Sequence, residues 1–464
     1  MKKIIALIIV ACLIGVSVFV VSTCEKDKEV HLSSKVEQKI SAYRTDLEDS
    51  SATLNTTKAI KTYLTNWAEA KGIDYTVDDH HNVIMKIKAG ADYKNAAPSV
   101  VVCGYDAEHF EHCIDPISVA LYVAKNNEET GDLTVIFTEN NDHDFTGIKK
   151  LSKKYFPDDA NIFTLNGGSK NMWSTTTAAN STYRFTSKVK HTEPKGTKAY
   201  RISISGFSGG IPDEKIASYP NPIKELGDLL AYFKTNSLIF ELSEIHGGTS
   251  GNLYPKEASA VIVIDEDDQE KFEKRITTAI ENFKYPSAYT YKEVKMPKQV
   301  LSSDDMNKFI SLLYTLVDGV YERDEEDEII SITNIGSIDC DGNTYTIKAS
   351  GNSLTEKDLN QIDLSYTTIC GLSNIKYKKT SAQKGWSIDK PEENVFVQQV
   401  SAAFKEYSDG TMHYRDNIAV TNCSYIFDKN PNCNLMSITV NKARIEKYAG
   451  TIVTFLMNQL ETVE

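Results

Sequence analysis

Two patterns of apolar residues alternate along the first part of the chain. Unbroken apolar runs at residues 100–103 and 133–137 predict strands that are buried on both faces, and residues 163–165 predict another. Apolar residues recur at helical spacing between the first two runs, and also at residues 35–47 and 58–70. Because strands that alternate with helices form parallel sheets, we predict an α/β fold with a mainly parallel sheet flanked by helices.

The alternation breaks near Tyr183 and returns at Trp386. Between these positions lie a helical pattern that starts at Asn221-Pro222 and a hairpin turn at Asp341-Gly342. A segment of this kind, inserted into a parallel-sheet domain, predicts an α+β lid. The predicted divisions are residues 1–32 as signal or membrane anchor and tether, residues 33–182 with 386–464 as the α/β domain, and residues 183–385 as the inserted lid domain.

The N-terminus has the pattern of an export signal or membrane anchor. Lys2 and Lys3 precede an apolar run at residues 4–21, and the rest of the chain is too polar to enter a membrane again. The stretch Val21-Ser22-Thr23-Cys24 is similar to a bacterial lipoprotein cleavage site, except that threonine replaces the usual small residue. We therefore predict a membrane-anchored, extracytoplasmic protein, either a lipoprotein on Cys24 or one with an uncleaved anchor.

Charge and cysteine spacing limit the possible partners. The formal net charge is -13, which leaves little positive surface to neutralise phosphates, so nucleic acid is not an expected partner. The 8 cysteines show no CxxC spacing of the kind that binds zinc. The sequence leaves disulfide pairing and oligomeric state open.

Acidic and imidazole side chains follow the first two predicted strands. Asp106, His109, His112 and Asp115 come after the first strand, and Asp142, His143 and Asp144 come after the second. The carboxyl ends of parallel strands meet at one edge of a sheet, which is where α/β proteins usually place their sites. The plainer alternative is that these loops are polar because they are solvated.

Three further motifs occur in a fixed order: Asp79-x-x-Asn82-Val83-Ile84, the glycine-rich stretch from Gly206 to Gly210, and Gly247-Gly248-Thr249-x-x-Asn252-x-x-Pro255. With these motifs the chain resembles the co-catalytic di-zinc peptidase family of aminoacylase, carnosinase and peptidase T. The resemblance is strongest to the aminoacyl-histidine dipeptidase branch and extends from about Ser34 to the C-terminus.

The resemblance implies two zinc ions held by two histidines and three carboxylates, with a glutamate as general base. Carried over to this sequence, the five ligand positions are Tyr105, Asp115, Asp142, Asn166 and Thr439. The position of the base is Asn141, and that of an auxiliary histidine is Ile211. Only Asp115 and Asp142 keep a side chain that suits the implied metal role, and an amide cannot act as the base. We therefore expect no cofactor, unless zinc binds a rebuilt site that uses His109 and His112 at i, i+3 spacing.

Two functions follow as hypotheses. The favoured one is a catalytically inactive homologue of a di-zinc dipeptidase that binds a peptide or another small ligand through Asn252, Gly248 and Thr249. In the family, this asparagine lies near the substrate's carboxylate; the alternative role of the motif is to shape a turn. The second hypothesis is a metal-dependent dipeptidase or N-acyl amino acid hydrolase with a rebuilt metal site.

Overall fold

The computed structural model describes residues 34–126, 130–283, 285, 288–373 and 375–459. The apolar run at residues 4–21 and Cys24 lie outside these residues. Within the described residues, no helix is both long and apolar enough to span a membrane. Every cysteine in this part of the chain is free.

The strands in chain order are β1 Asp74–Val77, β2 Val83–Ile87, β3 Ser99–Tyr105, β4 Leu133–Glu139, β5 Asn161–Gly167, β6 Met172–Thr177, β7 Ala179–Lys188, β8 His191–Thr192, β9 Lys198–Ser205, β10 Glu241–Gly248, β11 Ala258–Ile264, β12 Ala288–Val294, β13 Val300–Leu301, β14 Gly319–Arg323, β15 Ile329–Asp341, β16 Thr344–Ser353, β17 Lys376–Gln383, β18 Trp386–Ser387, β19 Tyr414–Asn417 and β20 Asn434–Val440.

The α-helices are α1 at residues 34–50, α2 Thr57–Lys71, α3 Ile114–Lys125, α4 Thr146–Lys150, α5 Pro222–Thr235, α6 Gln269–Asn282, α7 Ser303–Thr315, α8 Glu356–Ser373, α9 Val395–Ser408, α10 Asn422–Lys429 and α11 Ile445–Met457. The ends of α2 show why the sequence begins and ends a helix there. Thr56 caps its first turn by accepting the N–H of Ala59, and Gly72 ends it in the left-handed conformation with φ of 68°.

The first sheet has the order β1-β2-β4-β3-β5-β20-β6-β18, with β19 also paired to β6. Its four central strands, β4, β3, β5 and β20, are parallel to one another, as the buried apolar runs predict. The neighbouring pairs β1-β2, β2-β4, β20-β6 and β6-β18 are antiparallel, so the sheet as a whole is mixed. The predicted α/β class with an inserted lid is confirmed.

The second sheet has the order β12-β9-β11-β10-β15-β16-β7-β17, with β14 beside β15. The chain leaves the first sheet after β6 and returns to it at β18, where Trp386 pairs with Thr177. Two main cores result. One lies between the first sheet and helices α3, α9 and α11, and the other packs α5, α7 and α8 on the second sheet.

Candidate functional site

The carboxyl ends of the central strands meet at one edge of the first sheet. Tyr105 at the end of β3 lies opposite Glu139 at the end of β4, and the loops that follow contain the 3-10 turns Phe110–His112 and Asn141–His143. A cavity of about 40 Å³ lies at this edge, and we call it the strand-end pocket. The carboxylate, imidazole and amide side chains that line it are Asp106, His109, His112, Asn140, His143, Asn166 and Asn422, and the lid contributes Ile211 and Leu253.

Asp106 organises the first of these loops. Its Oδ1 accepts the backbone N–H groups of Glu108 and His109 at 2.8 and 3.1 Å, and its Oδ2 lies 3.3 Å from His109 Nδ1. Burial opposes the charge on Asp106, but the bonds from His109 and the backbone outweigh it, so the pKa of Asp106 is lowered. The hydrogen bond with Asp106 in turn raises the pKa of His109. The two side chains therefore favour each other's charged form.

His112 and His143 are in the opposite situation. Desolvation lowers the pKa of His112, and it lowers the pKa of the buried His143 to about 4. Their Nε2 atoms are buried, and no described residue gives either atom a hydrogen bond. Both imidazoles are therefore neutral at pH 7.

The two histidines of the hypothetical rebuilt metal site, His109 and His112, lie beside each other. Their rings are within 14° of parallel, with centroids 6.5 Å apart. His109 already has polar neighbours on both ring nitrogens, since Nε2 lies 3.4 Å from Thr249 Oγ1. Among the side chains that the structure describes, no group of three or more His, Cys, Asp or Glu residues is arranged to hold a metal ion.

The structure places Asp115, the first candidate metal ligand, outside the strand-end pocket. Asp115 lies in the first turn of α3, and its Oδ1 accepts a hydrogen bond of 2.6 Å from Nε of Arg44 in α1. Arg44 also contacts Glu48 in its own helix, at 2.6 Å. The carboxylate that the resemblance assigns to the family's bridging position is thus paired with a guanidinium. Asp142 lies in the turn Asn141–His143, and its side chain is outside the described part of the structure.

The other positions carried over from the family are engaged within the protein. Tyr105 is fully buried and its hydroxyl donates to the carbonyl oxygen of His81 at 2.8 Å. Asn166 Nδ2 donates to Ser437 Oγ at 3.2 Å, and Thr439 Oγ1 accepts the amide of Asn417 at 3.2 Å. An amide, two hydroxyls and an arginine-paired carboxylate do not form the donor set that two zinc ions require.

Asn140, which the sequence analysis did not single out, is the residue of the β4 end that lines the strand-end pocket. Its Nδ2 lies 3.2 Å from His143 Nδ1, and its Oδ1 accepts the N–H of Phe145 at 2.6 Å. Asn141 instead points away, to Thr57 and to the N–H of Ala107. β4 extends two residues beyond the apolar run, to Glu139, so Asn140 is the first residue after the strand. Because Thr138 and Glu139 are polar, the apolar pattern of the sequence did not predict this extension.

The predicted ligand-binding residues of the lid form a clamp on the loops around the strand-end pocket. Thr249 Oγ1 lies 3.4 Å from His109 Nε2, and Asn252 Nδ2 donates to the carbonyl oxygen of His143 at 3.1 Å. Lys256 Nζ pairs with Glu111 at 2.5 Å. We call Thr249, Asn252 and Lys256 the lid clamp. The side-chain amide of Asn252, expected to bind a ligand, thus has an acceptor inside the protein.

Gly248 permits this arrangement through its backbone. It has φ of 60°, and a Cβ placed on it would lie 2.0 Å from the carbonyl oxygen of Gly336 in β15. Only glycine allows strands β10 and β15 to approach so closely in this conformation. Gly248 therefore shapes the segment that carries the lid clamp.

A much larger cavity, of about 470 Å³, adjoins the strand-end pocket and shares Asn166, Gly167 and Ile211 with it. One wall contains the aromatic rings of Trp173, Phe404 and Tyr448. We call this cavity the aromatic chamber. No sequence motif indicated it, because its walls come from β5, β6, β19, α9 and α11, which are distant along the chain.

Three comparisons with known proteins bear on this geometry. The peptidase dimerisation domain of the M20 peptidases matches residues 216–287 of the lid. The cytosol non-specific dipeptidase of Escherichia coli strain K12 is 22% identical over 373 residues, which cover 70% of this chain and 76% of that protein.

Solved structures share the fold. The aminoacylhistidine dipeptidase of Vibrio alginolyticus superposes with a TM-score of 0.56 at 18% identity, covering 86% of this chain and 92% of that one. Human carnosine dipeptidase 1 superposes with a TM-score of 0.52 at 10% identity, covering 92% of this chain and 100% of that one. The chain thus shares the fold of these dipeptidases, and its lid matches the M20 peptidase dimerisation domain.

Proposed function

We propose that this protein is a non-catalytic member of the dipeptidase fold that binds a peptide-like or other small carboxylate ligand outside the cytoplasm, held at the membrane by its N-terminus. The observation that carries the proposal is the Arg44–Asp115 pair, with Nε and Oδ1 2.6 Å apart. A carboxylate whose charge is already paired with a guanidinium at this distance attracts metal ions less strongly than a free carboxylate.

At the end of β4, where the resemblance places the family's general base, no side chain that the structure describes brings a carboxylate into the strand-end pocket. The side chain that follows β4 into the pocket is the amide of Asn140, which cannot accept a proton from water at neutral pH. Glu139 precedes it and is not among the lining residues of the pocket. Burial raises the pKa of Glu139, with a contribution from Asp144, which makes it a weaker acid than an exposed glutamate.

The residues of the lid's family motif make contacts that a non-catalytic binding protein can use. Asn252 and Thr249 hold the lid against the loops of His143 and His109, and Gly248 allows strand β10 to lie close to β15. In this proposal the three residues hold the lid over the strand-end pocket. They need no metal for that role.

Metal content and zinc-supplemented activity test the proposal. We expect full-length protein purified without chelator to contain less than one transition-metal ion per chain and to hydrolyse no dipeptide or N-acyl amino acid with added zinc. Loss of a general base alone typically slows such reactions ~10²- to 10⁴-fold, and loss of the metal-activated water adds to this. Zinc-dependent turnover that Asp142→Ala abolishes would refute the proposal.

The second candidate, a hydrolase with a rebuilt metal site, draws on one observation. His112 and His143 present buried Nε2 atoms without hydrogen-bond partners among the described residues, and both line the strand-end pocket. A neutral imidazole is a good zinc ligand. This candidate predicts at least one bound ion per chain, which His112→Ala and His143→Asn would each remove, and the metal analysis above therefore separates the two functions.

A further inference from the structure

We propose that the aromatic chamber is the ligand site and that it takes a small organic anion carrying an aromatic group, with the anionic group at Arg415. This inference rests on the proposed non-catalytic function and specifies where and what the protein binds. The first argument is size. The strand-end pocket, at about 40 Å³, has space for little more than a water molecule, whereas the adjoining chamber, at about 470 Å³, has the size of a small-molecule site.

The inner wall of the chamber suits a flat apolar group. Trp173 is 2% exposed and stacks on Tyr448, with ring centroids 5.0 Å apart and planes 26° apart. Phe404 meets the Trp173 ring edge-on, with centroids 6.2 Å apart. The Phe404 and Tyr448 rings line the chamber and remain partly exposed. An aromatic ligand that contacts them would bury its apolar surface away from water.

The charged side chains of the chamber favour an anion. Its two acidic residues are engaged, because Glu214 pairs with Lys170 at 3.0 Å and Asp213 accepts the backbone N–H groups of Ser169 and Ile216 at 3.1 and 2.8 Å. Arg415 is exposed and lines the chamber, and no described residue pairs with it. A guanidinium without a partner at the rim of an apolar cavity is suited to a carboxylate.

Two glycines at the end of β5 line the chamber and pack closely on their neighbours. A Cβ on Gly168 would lie 2.4 Å from Thr439 Cγ2, and one on Gly167 would lie 2.1 Å from the carbonyl oxygen of His112. Glycine at these positions lets the β5 end lie against its neighbours, and a larger residue would disturb this wall of the chamber.

Calorimetry on full-length protein in lipid nanodiscs tests this site, since no detergent then competes for the chamber. The probes are 3-(2-naphthyl)propionate and its uncharged amide. We expect one molecule of the acid to bind per chain. The amide should bind about two- to fivefold more weakly, which is the affinity factor that an exposed ion pair contributes. Arg415→Gln should weaken the acid by the same factor and leave the amide unchanged. Arg184→Gln, at an exposed arginine outside the chamber, is the matched control.

A second variant tests the aromatic wall. Phe404→Ala should weaken both probes about tenfold or more, because it removes apolar contact area, whereas Phe427→Ala, at a 38% exposed ring outside the chamber, should change neither. The thermal midpoint of each variant shows that it is folded.

Two outcomes would overturn the chamber proposal: no binding of the acid, or binding that neither Arg415→Gln nor Phe404→Ala weakens. In both cases the absence of zinc-dependent turnover would still uphold the proposed function, whereas turnover would refute that function whatever the probes show.

Discussion

A single residue, His143, shows how burial beside the strand-end pocket favours a neutral imidazole. His143 has φ of 53° and is 9% exposed, and desolvation lowers its pKa to about 4 from a usual value near 6.5. Asp106 and Asp144 oppose this shift electrostatically, and His112 adds to it. Because the folded state resists protonation of His143, the stabilising contribution is present above about pH 6.5 and is lost as the pH falls toward 4.

His143→Asn tests this dependence. Asparagine tolerates the left-handed backbone conformation but does not titrate in this range. Between pH 7 and pH 4.5, we expect the wild-type protein to lose roughly 2–3 kcal/mol more unfolding free energy than the variant, measured by urea denaturation. His81→Asn is the matched control, since His81 is also left-handed, with φ of 65°, but exposed. Equal losses in wild type and His143→Asn would show that this imidazole does not resist protonation.

At the scale of elements, the ends of strands and the approach of neighbouring strands decide where side chains fall. The central strands and helices were predictable, because their apolar periodicity reports burial directly. The end of β4 was not, since Thr138 and Glu139 continue the strand after its apolar residues stop. The shift of the strand end placed Asn140, and not Asn141, at the pocket. Sequence patterns of apolar residues locate a strand better than its last two residues.

Replacing either of two glycines in the lid by alanine should change the stability of the protein, in opposite directions. Gly248→Ala should destabilise the protein by about 2–4 kcal/mol, because it combines a left-handed conformation with a backbone clash against Gly336. Gly371→Ala, near the end of α8, meets nothing within 4 Å and should stabilise by about 0.5–1 kcal/mol. Chemical denaturation of the two variants measures both. A Gly248→Ala protein as stable as wild type would remove the close strand approach as a constraint.

At the scale of the whole molecule, the fold class was readable from the sequence, because it rests on local motifs. The Arg44–Asp115 pair and the aromatic chamber were not. Arg44 is 71 positions from Asp115, and Trp173 meets Tyr448 from another part of the chain. Contacts between residues so far apart in the chain leave no local pattern in the sequence. They can be identified only when the strand order is known.

The membrane proposal belongs to the same scale. We expect the full-length protein to sediment with membranes, and metabolic labelling with palmitate to mark it if Cys24 is lipidated. Cys24→Ser should abolish the label. An unlabelled but membrane-bound protein would indicate the uncleaved anchor, whereas a full-length protein in the soluble cytoplasmic fraction would exclude both forms of attachment.

The Arg44–Asp115 pair has a consequence for the charge balance around the strand ends. Asp115 is neutralised by Arg44, Asp106 is paired with His109, and Glu111 is paired with Lys256. Each of these carboxylates has a basic partner from the chain, so divalent ions would have to compete with Arg44, His109 and Lys256 for them. Metal binding to these three carboxylates would displace basic side chains from their partners, and the loss of those pairs would reduce the affinity for the ions.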